Sequence, residues 1–595
     1  MDKTIIKERL ERLREELRRE HLSAFIFPTS DPHNSEYTAD HWKGREWISG
    51  FNGSAGIAVV TLKSAALWTD SRYFIQAEKQ LEGTEFQLMR QKLSDTPTIP
   101  EWLERELADM EDKEIGEDGM VSSVADIDHL KEEMKRRGGI TVRTNFDPLQ
   151  RIWNDRPAIP RGVVEMQPME LAGEDARSKL ARVRQALREQ HADGMLVVAL
   201  DDIAWTLNLR GSDVHCNPVF VAYLLIASDK ATLFIDKAKV SDKVSEYLKG
   251  QGVDIAPYTE AGNGLKDYFE YNILLDPNEV CYSLYQEVPR VVVRGVSPIA
   301  GMKAIKNERE IQGFKSAMLR DGIAMVKFLK WLDEHIKTDC LTEMSVSGKL
   351  ESLRAEQPLY RGLSFDTIAG YEAHGAIVHY EATAETDASL QAKGLLLLDS
   401  GAQYQDGTTD ITRTIALGPV TEEQRMVYTL VLKGHIQLQM LHFPEGASGT
   451  QLDAIARKDL WKEGYNYLHG TGHGVGSYLN VHEGPHQIRM EWRPAGLYAG
   501  MTVTDEPGVY LEGRFGVRIE NTLLVVPAEE TECGRFLKFE PLTWCPIDKR
   551  PVIKEMLTEE EREWLNRYHA VVYEHLSPFL NVSETEWLRH STLPL

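Results

Sequence analysis

The sequence predicts an α/β (α+β) protein made of three domains. Amphipathic helices alternate with short apolar strands over the first 300 residues, and this pattern occurs twice at a spacing of about 160 residues. After residue 300 the helices are longer, and the strands between them end in acidic residues. A chain of 595 residues is also too long for one hydrophobic core. We therefore place domains at residues 1–156, 157–300 and 301–595, with a C-terminal extension inside the third.

Each repeat begins with a helix and continues through strands and a glycine-containing turn. In the first repeat we predict a helix over 4–21, a strand over 24–27, a glycine-punctuated turn over 47–56, and strands over 57–61 and 65–69. In the second we predict a helix over 178–190, strands over 194–200, 219–226 and 231–235, and a counterpart of the turn over 205–211. A proline-bearing linker at 155–160 separates the repeats, and a second break lies near 295–298.

The third domain is predicted to contain four helices, over 307–336, 342–356, 421–442 and 449–463. Strand candidates lie between these helices, and they carry the acidic residues and histidines on which the functional prediction depends. Low-complexity segments and longer repeats are absent from the sequence.

Composition and charge exclude several classes of protein. Hydrophobic residues make up 42% and charged residues 27% of the chain, which is typical of a soluble globular protein. The net charge of -24 disfavours binding to nucleic acid or to an anionic membrane, and no apolar run is long enough to span a bilayer. The charged N-terminus lacks the apolar segment of a signal peptide, and the five cysteines form no CxxC pair. We therefore expect a cytoplasmic protein with reduced thiols.

Two aspartates are predicted to lie on paired strands of a hairpin. The run 395–399 is a buried strand by its pattern and ends at Asp399, and the chain turns at 405–407 before returning through Asp410. Two carboxylates that approach one spot repel each other unless a cation lies between them. Taken alone, the pattern is equally compatible with a solvated hairpin aspartate and a turn aspartate.

Two glutamates follow in strands further along the chain. Glu506 ends a strand that begins at residue 501 and stops at a Pro-Gly turn. Glu520 lies in the middle of the predicted strand 516–526, where a carboxylate among apolar residues is rarely tolerated unless it is paired or bound to metal. Arg518 lies on the same strand face by the two-residue period, so a salt bridge between Arg518 and Glu520 is the alternative.

Three histidines lie in or beside a glycine-rich stretch between these acids. His469 and His473 alternate with glycines over 467–476, and His482 follows. This spacing disfavours a helix and suits backbone that passes close to another group, where a neutral imidazole is a common metal ligand. Residues 482–486 also match the HExxH zinc motif, but the Gly-Pro pair inside that segment would break the helix that the motif requires.

Together these residues predict an oxygen-rich site with one imidazole. The predicted ligands are Asp399, Asp410, His473, Glu506 and Glu520. Such donors suit a pair of Mn, Co, Zn or Fe ions better than a single structural zinc. Two ions held by shared carboxylates are the arrangement that activates water for hydrolysis.

The motifs around these residues resemble those of the pita-bread metallopeptidases. They read LLDSGAQY around Asp399, GTTDITRT around Asp410, HGTGHGVG around His473, TDEPGVY around Glu506 and GVRIEN around Glu520. The stretches WTDSRYF, NLRGSD and VHEGP, with the three-domain length, resemble the Xaa-Pro aminopeptidases (aminopeptidase P) of that group. The resemblance covers nearly the whole chain and implies two creatinase-like N-terminal α/β domains followed by a pita-bread catalytic domain.

The resemblance also implies a role for each ligand. Asp399 would bind one metal ion and His473 the other, while Asp410 and Glu520 bridge the pair. Glu506 would bind metal and help transfer the proton of a metal-bridging hydroxide that attacks the peptide carbonyl. The same resemblance implies two divalent ions per subunit, Mn²⁺ first with Zn²⁺ or Co²⁺ as alternatives, and a homodimer.

Substrate contacts are implied for four further residues. His379 and His482 would contact the scissile carbonyl or stabilise the oxyanion, and His469 would line the pocket for the proline side of the substrate. Arg72 in the first domain would reach towards the substrate, although an isolated arginine more often forms a surface ion pair. His374 is left without a role, as a loop histidine near the rim of the cleft.

The function implied is hydrolysis of the N-terminal Xaa-Pro bond of peptides that have proline at the second position. Two alternatives stay open. A prolidase shares the catalytic domain but cuts Xaa-Pro dipeptides, and the duplicated N-terminal domain argues against it. A metal-free relative, either creatinase-like or a histone-chaperone-type binding module, would lack the ligand set that is complete here.

Overall fold

The computed structural model describes residues 3–110, 113–268, 272–289, 291–338 and 340–595. The chain forms two compact units. The first consists of Met1–Met166 and Glu174–Ile299, and the second consists of Gln167–Gly173 and Ala300–Leu595. All five cysteines are free thiols, as the sequence predicted. In the described part of the chain, none of the helices combines the length and the hydropathy that a membrane crossing requires.

The first unit contains two six-stranded sheets with the same topology. The strands of the first sheet, in spatial order, are Phe86–Arg90, Ala65–Thr69, Ile57–Thr61, Ala24–Pro28, Glu114–Glu117 and Thr141–Arg143. Those of the second are Val253–Ala256, Ala231–Phe234, Tyr223–Ile226, Gly194–Val197, Asn272–Leu275 and Val291–Arg294. Each sheet has an antiparallel meander at its centre and parallel pairs at both edges. The predicted repeat is confirmed, while the boundary at residue 156 stays a prediction because both sheets belong to one compact unit.

Each sheet is accompanied by helices. These are Lys3–Arg19, Gly44–Ser49, Phe74–Leu81, Ile99–Glu106, Val124–Arg136 and Leu149–Ile152 in the first repeat, and Ala176–Glu189, Leu200–Leu207, Asp242–Gln251, Ala261–Lys266 and Tyr282–Gln286 in the second. In the first sheet, Phe25 and Phe27 pack on the side of helix Lys3–Arg19, while Ala24 and Ile26 belong to a separate core on the opposite face. This alternation is what a strand buried on both faces requires.

Two short helices differ from the sequence prediction. The first part of the predicted turn 47–56 belongs to helix Gly44–Ser49, which ends at Gly50 with φ of 77°. The strand predicted over 194–200 ends at Val197, and the predicted counterpart of the turn begins inside helix Leu200–Leu207. Seven of the eight residues of that helix are buried, and the residue before it, Ala199, offers no side-chain cap, so the usual start signal of a helix is missing from the sequence.

The four helices predicted for the third domain are confirmed. They are Glu308–His335, Glu343–Ala355, Glu422–Gln439 and Gly449–Lys462, and each begins with a capping box formed by the preceding residue. A short helix, Pro298–Ala304, precedes them, and two helices near the C-terminus, Glu559–Leu576 and Val582–Ser591, were not predicted.

Four small sheets support the candidate site in this second unit. One contains Tyr360–Tyr371, Leu395–Tyr404, Gly407–Thr408 and Ile411–Ala416, and another contains His442–Pro444, Gly534–Pro541, Asn521–Thr531 and Thr502–Asp505. Two strand pairs complete the unit, Gly472–Gly474 with Glu483–Ile488 and Gly508–Leu511 with Phe515–Arg518. This mixture of helices and strands confirms the α/β (α+β) class.

Candidate metal centre

The predicted aspartate hairpin is present and buried. Strand Leu395–Tyr404 pairs antiparallel with Ile411–Ala416, which puts Asp399 directly opposite Thr412. Asp410 immediately precedes the second strand, and both aspartates are less than a tenth exposed. Because the strand that carries Asp399 is buried along its whole length, its carboxylate is removed from bulk water together with the apolar residues beside it.

The two glutamates flank a second pair of strands. Thr502–Asp505 pairs with Asn521–Thr531 so that Asp505 faces Asn521, and Glu506 and Glu520 are the residues next to this pair. Glu520 is therefore not in the middle of a strand, as the sequence suggested, but in the break between Phe515–Arg518 and Asn521–Thr531. Its backbone N–H donates to the Thr412 carbonyl at 3.0 Å, which joins the glutamate to the aspartate hairpin.

His473 is held with its Nε2 atom towards the acids. It lies on strand Gly472–Gly474, and its Nδ1 atom is 2.8 Å from the Gly474 carbonyl oxygen. Its Nε2 atom is 3.4 Å from Asp410 Oδ2 and 3.6 Å from Glu506 Oε1. Donor atoms of Asp410, His473 and Glu520 all lie within 4.8 Å of one another. The glycine before His473 allows this approach, since a Cβ there would meet the Thr504 carbonyl oxygen at 1.9 Å.

The carboxylates of the centre perturb one another. Burial raises the pKa of Asp399, Glu506 and Glu520, and repulsion from neighbouring carboxylates raises it further, to about 7 for Glu506. Burial alone would lower the pKa of His473, but contact with Asp410 and the charge of Glu506 raise it to about 9. Without a cation, the centre therefore keeps protons that ordinary carboxylates release near pH 4.

Arg518 pairs with Asp399 and not with Glu520, so the salt bridge considered from the sequence is wrong in its partner. The Arg518 guanidinium donates to Asp399 Oδ2 from Nε at 3.1 Å and from Nη2 at 2.7 Å. It also donates to the hydroxyl of Tyr510 at 2.6 Å and to the carbonyl of Val378 at 3.3 Å. This buried cation is thus hydrogen-bonded to one of the four carboxylates, Asp399, and its charge also lowers the pKa of Glu506.

The remaining carboxylate atoms fit divalent cations. Within the described residues, Asp399 Oδ1 and Glu520 Oε1 are buried and have no hydrogen-bond partner. Buried carboxylate oxygens without a donor are costly unless they bind a cation. An oxygen-rich donor set with one imidazole matches the preferences of Mn, Zn or Co, and Asp399, Asp410, His473, Glu506 and Glu520 are the residues that would hold the ions.

The structure places two of the predicted substrate histidines beside this centre. The ring of His482 lies 4.3 Å from that of His473, centroid to centroid. The Nε2 atom of His469 is 2.8 Å from the Tyr510 hydroxyl, which itself accepts from Arg518. Residues Glu483–Ile488 form a strand, so rejection of the HExxH motif is confirmed.

The contacts described for the other two predicted substrate residues, His379 and Arg72, do not involve the predicted ligands directly. His379 follows Val378, whose carbonyl accepts from Arg518. Arg72 belongs to the first compact unit, where its guanidinium donates to Asp70 at 2.8 and 3.0 Å. The substrate contacts of both residues stay predictions.

Several supporting residues were missed by the sequence analysis. Thr412 donates from its hydroxyl to Glu520 Oε2 at 2.7 Å. Asp505, next to Glu506, is fully buried with Oδ2 at 3.1 Å from His435 Nδ1 and 2.9 Å from the amide nitrogen of Gln439. The sequence carried one signal for Asp505, which is its position next to Glu506 at the end of one strand. Adjacent strand residues face opposite sides, so these two acids must have different surroundings.

Arg413 ties the aspartate hairpin to the C-terminal part of the chain. It is 1% exposed and donates to the carbonyl of Glu520 at 2.6 Å. It also donates to the carbonyls of Pro546 and Cys545 at 3.0 and 2.9 Å and to the Tyr568 hydroxyl at 3.0 Å. Arg413 thus links the backbone of one predicted ligand, Glu520, to residues beyond 540.

Models of known families match most of the chain. A model described as Creatinase/Prolidase N-terminal domain matches residues 9–147, and a second with the same description matches 155–310, in agreement with the repeated sheets. Metallopeptidase family M24 matches residues 312–527, and the C-terminal region of peptidase_M24 matches residues 535–595.

Similar proteins extend over the whole chain. Aminopeptidase P1 of Arabidopsis thaliana is 40% identical, with 96% of this chain and 97% of the relative aligned. Xaa-Pro aminopeptidase 1 of Dictyostelium discoideum is 40% identical, with 100% of this chain and 97% of the relative aligned.

Solved structures distinguish full-length from partial similarity. An X-prolyl aminopeptidase from Caenorhabditis elegans, described as a cytosolic enzyme with a di-nuclear active site, matches 99% of this chain and 100% of its own, with a TM-score of 0.95 and 35% identity. An Xaa-Pro dipeptidase from Bacillus anthracis matches 63% of this chain and 99% of its own, with a TM-score of 0.51 and 26% identity. The chain therefore belongs to the Xaa-Pro aminopeptidase group of metallopeptidase family M24, whose catalytic domain follows two creatinase-type domains.

Proposed function

We propose that this chain is an aminopeptidase that hydrolyses the N-terminal Xaa-Pro bond of peptides and uses two divalent metal ions. The observation that carries the proposal is the convergence of Asp410, His473 and Glu520, with donor atoms within 4.8 Å of one another. The buried carboxylate of Asp399 and the partly exposed carboxylate of Glu506 complete the set. Full-length similarity to proteins named aminopeptidase P and Xaa-Pro aminopeptidase supports the substrate class.

The five predicted ligands would share the two ions. Asp399 would hold one ion and His473 the other, with Asp410 and Glu520 between them. Bound divalent ions lower the pKa of water and polarise a carbonyl oxygen as Lewis acids. We propose Mn²⁺ first, with Zn²⁺ or Co²⁺ as alternatives, because carboxylate-rich sites suit Mn²⁺ and availability decides the rest.

Glu506 is the best placed carboxylate for proton transfer. Its side chain is 17% exposed, compared with 9% for Asp399 and 5% for Asp410. Access to solvent lets a carboxylate exchange a proton during each turnover, while the more buried acids stay fixed. In the proposed reaction Glu506 accepts a proton from the attacking water and returns it to the leaving nitrogen of proline.

The histidines around the centre would bind the substrate. His379 and His482 would donate to the carbonyl oxygen of the first residue as it becomes negative. His469, in contact with Tyr510, would line the pocket for proline. Arg72 is the fourth residue that we propose to contact the substrate.

The substrate assay separates an aminopeptidase from a prolidase. We expect the purified, metal-loaded protein to cleave an Xaa-Pro-Xaa tripeptide and to leave the matching Xaa-Ala-Xaa peptide intact. The similarity of the dipeptidase to only 63% of this chain favours this outcome. Cleavage of an Xaa-Pro dipeptide without cleavage of the tripeptide would favour prolidase activity. A protein that contains no metal and is not activated by Mn²⁺, Zn²⁺ or Co²⁺ would favour a non-catalytic binding module.

Histidine variants separate metal binding from substrate binding. His473→Ala should lose bound metal and activity together, whereas His469→Ala should keep both ions and lose turnover. His442→Ala is a matched control, because His442 lies at the surface with its side chain 53% exposed. Measuring the metal content and kcat of each variant distinguishes metal binding from substrate binding. Full turnover by His473→Ala would contradict the ligand assignment.

We further propose a cytoplasmic homodimer that acts on peptides and binds neither nucleic acid nor membrane. The cytosolic description of the nematode structure and the acidic net charge of -24 support the location and the partners. Sedimentation of the purified protein tests the dimer, and fractionation of cells tests the location.

A further inference from the structure

One buried glutamate holds the loop that carries His379. The segment 372–394 connects strand Tyr360–Tyr371 to strand Leu395–Tyr404, and its one regular element is the short 3₁₀ helix Glu372–Ala376. A loop of this length in a compact domain needs contacts that fix its course. Glu343, the first residue of helix Glu343–Ala355, supplies them, and its side chain is 0% exposed.

The carboxylate of Glu343 binds the residue just before this loop and three residues within it. The backbone N–H of Tyr371 donates to Oε1 at 2.8 Å, and that of Ala388 donates to Oε2 at 3.0 Å. The hydroxyl of Tyr380 donates to Oε2 at 2.8 Å. His374 places Nδ1 at 3.0 Å from both carboxylate oxygens. A carboxylate has enough lone pairs to accept from all four groups.

The two side chains that contact Glu343 also contact each other. The rings of His374 and Tyr380 lie 4.5 Å apart, centroid to centroid, at an interplanar angle of 32°. His374 therefore has a partner on each side, a buried carboxylate and an aromatic ring. The sequence had left this histidine without a role.

His379 is flanked in the chain by two anchored residues, Val378 and Tyr380. On one side, the carbonyl of Val378 accepts from Arg518, whose guanidinium binds Asp399. On the other side, Tyr380 is fixed by Glu343. Two anchors on adjacent residues leave the backbone of His379 little freedom, and side-chain placement depends on that backbone.

We propose that Glu343, His374 and Tyr380 are positioning residues that set the place of His379 at the metal centre. The inference rests on the proposed function, because it assigns His379 a contact with the substrate carbonyl. Loss of the Tyr380 hydroxyl releases one anchor of the backbone beside His379, and a misplacement of about 1 Å lowers turnover by up to about a hundredfold.

A double-mutant cycle tests the proposal. Tyr380→Phe should lower kcat for an Xaa-Pro-Xaa peptide about tenfold or more while two metal ions stay bound, and His374→Ala should act in the same direction. His374→Asn, which keeps a donor near Glu343, should recover part of the loss. In a His379→Ala background, Tyr380→Phe should change kcat less than about twofold. An equal effect of Tyr380→Phe in both backgrounds would overturn the proposal.

A matched control removes a different hydroxyl, that of the last strand residue before the loop. Tyr371→Phe deletes the hydrogen bond from the Tyr371 hydroxyl to the Lys393 carbonyl at 3.1 Å but leaves the Glu343 carboxylate unchanged. We expect this variant to keep kcat within about twofold of the unmodified protein. A tenfold loss here would show that any disturbance of the loop suffices and would contradict the specific role of the cluster.

Hydrogen exchange separates this proposal from the proposed function. If the unmodified protein cleaves no Xaa-Pro peptide, the proposed function fails, and exchange still tests the loop. Tyr380→Phe and Glu343→Gln should speed amide exchange over residues 377–390 in the full-length protein, while Tyr371→Phe should not. Unchanged exchange in the first two variants would refute the positioning role.

Discussion

The protons held by the metal-free centre should make metal affinity depend steeply on pH. Each ligand must lose its proton before it binds metal. His473 has a pKa of about 9, so each pH unit below that value lowers affinity about tenfold. Glu506, with a pKa of about 7, adds a further factor of about ten between pH 8 and pH 6. Together they predict a decrease of about a thousandfold in Mn²⁺ affinity over this range.

The stability of the metal-free protein should move in the opposite direction. The raised pKa of His473 gives a contribution that is complete below about pH 6.5 and is lost as the pH rises through about 9. The raised pKa of Glu506 means that the folded protein keeps a proton that the unfolded chain releases near pH 4, so stability also falls as the pH rises to about 7. The increase in melting temperature on adding Mn²⁺ should therefore be larger at pH 8 than at pH 6.

Equilibrium dialysis against buffered Mn²⁺ at pH 6, 7 and 8, with ionic strength held constant, measures this affinity. Glu506→Gln is the informative variant, because it keeps the shape of the side chain and removes one titrating group. We expect the affinity change in this variant to be about tenfold smaller than in the unmodified protein. A total change below about tenfold in the unmodified protein would refute the reasoning.

Three further predictions concern side chains around the centre. Arg518→Met removes one partner of a buried ion pair and should lower the stability of the metal-free catalytic unit by about 3–5 kcal/mol in urea unfolding. Arg514→Met, which removes one partner of an exposed ion pair, should lower the stability by less than about 1 kcal/mol. Equal losses would contradict the burial argument. Thr412→Val removes the hydroxyl that donates to Glu520, a proposed ligand, and should weaken Mn²⁺ binding measured by dialysis about 10- to 100-fold. Unchanged affinity would show that this hydrogen bond is dispensable. Gly516→Ala would place a Cβ 1.7 Å from the carbonyl oxygen of Gly375 and should abolish peptide cleavage. Gly348→Ala is the control and should keep activity, because the space around Gly348 is open. Activity in the first variant would contradict the close packing.

The long helices could be predicted from sequence because their first turns carry their own signals. Asn307 and Thr421, for example, form capping boxes with residues in the first turn, which fixes where each helix begins. Helix Leu200–Leu207 could not be found in this way, because it is buried on nearly every side and Ala199, which precedes it, has no side chain that could cap its first turn.

The ligand types could be proposed from the sequence, but their contacts could not. The two-residue period put Arg518 and Glu520 on one face, yet the strand ends between them and Arg518 turns to Asp399 on a neighbouring hairpin. Such a contact joins residues more than a hundred positions apart, and no local pattern encodes it. Glu343 was overlooked for the same reason, since its partners belong to a loop that begins well after its own helix ends.

The position of Arg413 has a consequence for how the protein is made. Its guanidinium uses the carbonyls of Cys545 and Pro546 and the hydroxyl of Tyr568 as acceptors, and these residues are synthesised after Glu520. A nascent chain that has just exposed Glu520 contains all five proposed ligands but cannot yet fix the backbone of that glutamate. We expect the ability to retain metal to arise only after synthesis has passed Tyr568, so that incomplete chains cannot act as peptidases in the cell.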